Sequence, residues 1–218
     1  MSSRPATGPG AGPPGREQPE GLLLAAGEGR RLGRGPKALL RHGGVTLAEH
    51  VAAAMLAGGC GRVTVVTGAG AREVAEALGS LRDVQCIENP DWSAGMGVSL
   101  RCGLEALGAG VNVLVMPVDR PGVSAAAIER VLHAHRPGGI TAAAHRDPGG
   151  RLRRGHPVLF DARWTGDAAA AAHGDVGARG LLSTQHELVR LVDCSDLDDG
   201  ADVDTPDDLT RLRPDPGP

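Results

Sequence analysis

Of the 23 lysine and arginine residues in this 218-residue chain, only Lys37 is a lysine. It closes the run Leu24-Ala25-Ala26-Gly27-Glu28-Gly29-Arg30-Arg31-Leu32-Gly33-Arg34-Gly35-Pro36-Lys37. Glycines let backbone N–H groups approach a ligand closely. Lysine adds a compact point charge where arginine would add a planar fork. Together they suit a phosphate. Two well-known cradles fail: Gly33 falls one residue too late for G-x-G-x-x-G, and Pro36 precedes Lys37 with no Ser or Thr after it, unlike a P-loop. By composition alone the run is equally a glycine-rich surface turn with solvated charges.

Asp119 lies in Pro117-Val118-Asp119-Arg120-Pro121, which closes an apolar run. That places it at the carboxyl end of a strand, where a carboxylate can hold Mg²⁺ against triphosphate oxygens. An aspartate that merely opens a turn fits as well. In Asp202-Val203-Asp204-Thr205-Pro206-Asp207-Asp208-Leu209, Pro206 takes the favoured first helical position, and Thr205 with Asp208 reads as a helix cap. The segment Asn89 to Leu100 sets a turn and small residues before a helix. It could admit a flat base close to the backbone, or be a plain helix start.

Read together, these segments resemble one family. L-A-A-G-x-(S/G)-x-R-(M/L)-G-x-x-x-K is similar to the signature of the MobA-like nucleotidyltransferases, and P-V-D-x-P to their metal-binding stretch. N-P-x-W-x-x-G-M-x-x-S-L, G-H-P-V-L-F over 155–160, G-D-x-G-A-R over 174–179 and D-x-D-T-P-x-D-L over 202–209 follow in family order. The resemblance spans residues 21–212 and is closest to the branch typified by molybdenum cofactor cytidylyltransferase. It implies an α/β, Rossmann-like three-layer αβα nucleotidyltransferase fold with a mostly parallel mixed sheet. It implies transfer of CMP from CTP to a phosphorylated acceptor, molybdopterin, with release of pyrophosphate. It assigns Leu24, Ala25, Ala26, Gly27, Gly29, Arg31, Lys37, Ser93, Gly95, Met96 and Ser99 to the nucleotide, and His156, Asp175 and Arg179 to the acceptor. Asp119 and Asp204 become ligands of Mg²⁺ or Mn²⁺, and Arg31, Lys37 and Asp119 carry catalysis. A molybdenum hydroxylase becomes the expected recipient of the product. Alone, His156 would be an ordinary satisfied histidine and Arg179 a helix-surface cation. Gly29 stands where serine is frequent and Leu32 where methionine is, which removes one hydroxyl and weakens the nucleotide preference.

Such chemistry needs strand ends to carry it. Continuous apolar runs predict strands at 21–26, 63–67, 84–88 and 111–117, alternating with helices at 46–57, 71–79, 96–107 and 124–134. This alternation predicts a parallel sheet covered on both faces, with ligands at the strands' carboxyl ends. Strands at 140–145 and 156–160 flank a glycine and arginine turn at 149–155. A last strand at 187–192, an acidic loop at 193–204 and a helix near Pro206 complete an α+β second half. Residues 1–20, with five prolines and four glycines, predict a disordered tail, and 213–218 a flexible end.

Composition narrows the alternatives. A formal net charge of -3 gives no field for a nucleic-acid backbone or an anionic membrane. Trp92, Trp164 and Phe160 are too few for base stacking. Cys60, Cys86, Cys102 and Cys194 lack zinc-like spacing and read as reduced, mostly buried thiols. The histidines other than His156 read as surface residues. The first apolar run is shorter than the roughly 7 to 15 residues of a signal core. No run nears the roughly 20 of a membrane span, so a cytoplasmic protein is expected. The alternatives are a guanylyl or sugar-phosphate nucleotidyltransferase of the same fold, or a non-catalytic nucleotide-binding cofactor chaperone.

Overall fold

The structure is a computed structural model and describes residues 18–214. The expected tail up to residue 17 and the last four residues lie outside the described part. Glu20, placed at the end of that tail by composition, is instead the first residue of β1 (Glu20–Leu24).

A seven-stranded sheet forms the centre, in the order β5-β4-β1-β6-β8-β7-β9. Its strands are β1, β4 (Arg62–Thr67), β5 (Val84–Glu88), β6 (Val113–Pro117), β7 (Ile140–Arg146), β8 (Leu152–Phe160) and β9 (Val189–Asp193). β2 (Arg41–His42) and β3 (Val45–Thr46) make a separate small hairpin. β1, β4, β5 and β6 pair in parallel, and β7 pairs in parallel with β9. β8 runs antiparallel to both its neighbours. The mostly parallel mixed sheet expected of the sequence is therefore present.

Alternate residues of the central strands feed two cores. Leu23, Val63, Val65, Leu114 and Met116 face one side with Val51, Met55 and Ile128. These come from α1 (Leu47–Ala57) and α4 (Ala125–Ala134), beside α2 (Ala71–Leu78). Leu22, Val66, Val113 and Val115 face the other with Leu100, Leu104, Ala168 and Leu181. That side is covered by α3 (Met96–Leu107), α5 (Ala162–Ala171) and α6 (Arg179–Thr184). The period-2 side-chain alternation of a strand buried on both faces produces the three layers. Helix starts are fixed locally. The Thr46 hydroxyl accepts from Glu49 N at 3.2 Å while the Glu49 carboxylate accepts from Thr46 N at 2.8 Å. Ser124 accepts from Ala127 N, and Asp161 from Arg163 N.

Several expectations change. β8 begins at Leu152, so the turn expected at 149–155 ends by residue 151, and Arg153 and Arg154 are strand residues. The alanine-rich α5, the short α6 and the β2/β3 hairpin were not foreseen. The last strand is shifted to 189–193 behind a short 3-10 turn at His186–Leu188. The turn at Pro206–Arg211 is also 3-10. His42, His135 and His145 are buried rather than on the surface, at 3, 7 and 8% exposure. All four cysteines are free, but only Cys60 and Cys194 are buried. Among the described residues no helix is long and apolar enough to cross a membrane.

Candidate phosphate and metal site

β1 is the pivot of the sheet, with β4 on one side and β6 on the other. Leu24 is in register with both Val66 and Pro117, so the three strands end level. The connection from β1 leads to β4 on one side and that from β6 leads to β7 on the other, and such a reversal opens a crevice beyond the carboxyl ends. A groove of about 830 Å³ lies there.

The first wall is the loop after β1. Gly29, Gly33 and Gly35 have φ of 71°, 63° and 80°, a region that L side chains seldom adopt. A Cβ on Gly29 would run into the Gly35 carbonyl oxygen, so the serine frequent at that position does not fit this conformation. Buried Leu32 pins the loop, and its N–H and that of Gly33 both bond to Gly29 O, at 3.0 and 3.2 Å. The amides of residues 27–31 make no hydrogen bond among the described residues, which leaves them available to an anion. Leu24, Ala26, Gly27, Gly29 and Arg31 line the groove. Ala25 does not: it is fully buried, packed in the core on the opposite face of the sheet by strand alternation.

Lys37 follows this loop and meets the carboxylates. Its Nζ lies 2.8 Å from Asp119 Oδ2 and also donates to Asp204 Oδ1. Asp119 sits just beyond β6, where Val118 N still bonds to Leu24 O at 3.1 Å. Asp204 is brought beside it because Val203 N donates to Asp119 O at 2.9 Å. Burial opposes the charge on Lys37, but Asp119 and Asp204 outweigh it and hold the ammonium above the ordinary lysine value. Arg31 is 80% exposed and 3.9 Å from Asp204, a weak contact in water. Asp208 accepts from Thr205 N and Oγ1, both at 2.8 Å, and these bonds pull its carboxyl down to about 2. Asp208 makes the helix cap, while Asp204 faces the groove beside Asp119 and Lys37. Asp202, which sequence reasoning passed over, lies 3.2 Å from the buried Arg120 guanidinium. Burial raises its carboxyl, and the charges of Asp119 and Asp204 add to the rise. Its place was legible, since it stands two residues before Asp204. Asp119 and Asp204 offer hard oxygen donors and already draw a cation between them, which fits Mg²⁺ or Mn²⁺.

Ser93, Gly95, Met96 and Ser99 form the second wall. The small residues here do not simply clear room for a base. Gly97 N donates to Gly174 O at 2.6 Å, and a Cβ on Gly97 would stand 2.6 Å from His173 N. A Cβ on Gly95 would stand 2.7 Å from Asp175 Oδ1. The glycines admit the chain's own 173–175 loop, which carries Asp175 to the groove. Ser99 is buried and accepts from Asn89 Nδ2 at 3.0 Å, so its hydroxyl fixes the 89–92 turn.

The third wall is β8. Arg154, His156, Val158 and Phe160 all reach the groove. Their shared two-residue spacing is the signal that could have found Arg154 from His156. His156 keeps a partly exposed edge, but surrounding protein, then Arg120 and Arg154, push its imidazole down to about 3. It is a neutral hydrogen-bonding group there. Arg179, the first residue of α6, completes this side.

A crevice at the reversal point of an α/β sheet, with free loop amides and a lysine between two carboxylates, defines a protein of the nucleotidyltransferase fold. The chain belongs to the MobA-like NTP transferase domain family, whose model matches residues 21–189. It is 47% identical over 194 residues to nicotine blue oxidoreductase of Paenarthrobacter nicotinovorans, covering 88% of this chain and 95% of that one. A nucleotidyl transferase from Methanothermobacter thermautotroptrophicus superposes with a TM-score of 0.77 at 25% identity, over 91% of this chain and 97% of that one. A Mycobacterium tuberculosis H37Rv protein solved in complex with manganese gives 0.68 at 28% identity, over 90% and 98%. Asp202 and Asp204 lie beyond the family-matched residues.

Proposed function

We propose that the protein transfers a nucleoside monophosphate from an NTP to a phosphorylated small molecule and releases pyrophosphate. The observation that carries this reading is Lys37 held between Asp119 and Asp204 beside the free amides of the 27–31 loop. An oxygen of the acceptor phosphate attacks the α-phosphorus. The new P–O bond forms as the bond to the bridging oxygen of pyrophosphate breaks. A phosphate monoester has its second pKa near 6, so the nucleophile is already deprotonated at pH 7. Catalysis is then positioning and charge neutralisation. Loop amides, Arg31 and Lys37 offset charge on the departing pyrophosphate, and His156 and Arg179 orient the acceptor. A divalent cation held by Asp119 and Asp204, Mg²⁺ or Mn²⁺, supplies further neutralisation of the phosphate oxygens.

The L-A-A-G form of the loop, with G-M-x-x-S-L and G-H-P, supports CTP as donor and molybdopterin as acceptor, with a molybdenum hydroxylase receiving the product. The test is pyrophosphate release with each NTP, Mg²⁺ and molybdopterin. Acceptor-dependent release with CTP, lost in Lys37→Ala and Asp119→Ala, supports it. Release that prefers GTP moves the reading to the guanylyl branch. Delivery of cofactor that survives Asp119→Ala would point to a chaperone.

The 47% identity to nicotine blue oxidoreductase favours a second reading, reduction of such a dye. A nicotinamide or flavin dinucleotide would then take the NTP's place on the loop and supply two electrons. Bleaching of nicotine blue dependent on NADH or NADPH, without pyrophosphate release, would select it.

A further inference from the structure

Some arginines of this protein are ion-paired and others are not. Arg30, Arg120, Arg130, Arg146, Arg153 and Arg211 each have a carboxylate within 4 Å. Arg154 and Arg179 have no carboxylate within ion-pair distance among the described residues, although both face the groove. Asp175, the carboxylate nearest in the chain to Arg179, lies over Gly95. Arg154 Nη1 instead donates to the carbonyl of Leu182 at 3.3 Å. Leu182 is in α6, three residues on from Arg179, and both arginines line the groove. Burial, then the positive charge of Arg179, holds Arg154 below the ordinary arginine value. Both side chains are exposed where they line the groove, and a bound anion would offset the like charges they present there.

Their place in the sheet sets their task. β8 pairs Val158 with Val115, and the antiparallel continuation brings Arg154 toward the level of Asp119. Lys37 serves the β1 side of the groove, and Arg154 with Arg179 the β8 side. We propose that Arg154 and Arg179 form a two-guanidinium subsite for a dianionic phosphate monoester, the acceptor's phosphate, across the groove from Lys37. Paired arginines grip a phosphate through planar forks, with two N–H donors each directed at its oxygens. The inference rests on the nucleotidyl-transfer reading and adds Arg154 as a second guanidinium on the acceptor phosphate.

Binding of methyl phosphate, a dianion, and dimethyl phosphate, a monoanion, to the full chain would test it, followed by ³¹P NMR titration. Arg154→Gln and Arg179→Gln should each weaken methyl phosphate by about tenfold or more. The double variant should lose little beyond either single change, because the pair acts as a unit. Arg154→Lys should fall between wild type and Arg154→Gln. Binding of Mg²⁺–CTP, read by calorimetry on the same samples, should stay within about twofold. Methyl phosphate affinity unchanged in both single variants would overturn the subsite. So would equal loss of methyl phosphate and CTP, which would place Arg154 on the triphosphate. If wild type releases no pyrophosphate with any NTP while methyl phosphate binding still depends on Arg154, the subsite stands and the transferase reading falls.

Discussion

The ammonium of Lys37 sits between carboxylates that enter from Asp119, after β6, and from Asp204, near the end of the described chain. A guanidinium is wider and holds its donors in a plane, so Lys37→Arg cannot reproduce this seat. We expect Lys37→Arg and Lys37→Ala to lower kcat by about 10²- to 10³-fold, the loss typical of one transition-state donor. In nucleotide-free protein Lys37→Ala should bind Mn²⁺ more tightly, because the two carboxylates lose their internal counter-charge. Electron paramagnetic resonance of free Mn²⁺ reads this directly, and weaker binding would contradict the shared seat. His156 gives a pH prediction. The unfolded chain protonates it below about 6.5, whereas the folded protein keeps it neutral to about 3. Its contribution is therefore complete above 6.5 and declines as pH falls toward 3. Urea midpoints at pH 7.5 and 4.5 should drop more for wild type than for His156→Gln.

At the scale of elements, the loops beside the groove are shaped by what their glycines must avoid. Gly29→Ser would combine a positive φ with a collision at the Gly35 carbonyl. It should cost about 1 to 3 kcal/mol in chemical denaturation and raise the KM for NTP. Gly97→Ala would press on His173 and should raise KM for NTP and acceptor together, since both loops move. Much of this frame was legible. Strands with unbroken apolar runs, such as 22–24 and 113–117, declared themselves in sequence. The first half of β8 did not, because Arg153 and Arg154 interrupt its apolar pattern and their alternation shows only once β7 pairs with them. Glycines announced close approach at 95 and 97 but could not say to what. Ala25 shares the site motif with Ala26, yet the side to which each points was decided by strand parity. The buried His42, His135 and His145 carry no local signal that separates them from surface histidines.

Across the whole molecule, the segment after β9 acts as a strap over the groove. His145 Nε2 lies 2.7 Å from Asp198 Oδ1, both side chains nearly buried, tying the strap to β7. Arg120 to Asp202 and Val203 N to Asp119 O tie it further along. Asp198→Ala should cost about 1 to 3 kcal/mol by removing the carboxylate packed against buried His145. It should also lower kcat at a distance by loosening Asp204, which paired denaturation and rate measurements would show. The contact between Gly97 and Gly174 carries a different consequence. On the proposed assignment, it locks the helix start given to the donor to the loop given to the acceptor, so both substrates would belong in one assembled cleft. Initial-rate plots with both substrates varied should accordingly intersect, as for a sequential ternary complex, and parallel lines from a nucleotidylated enzyme should not appear.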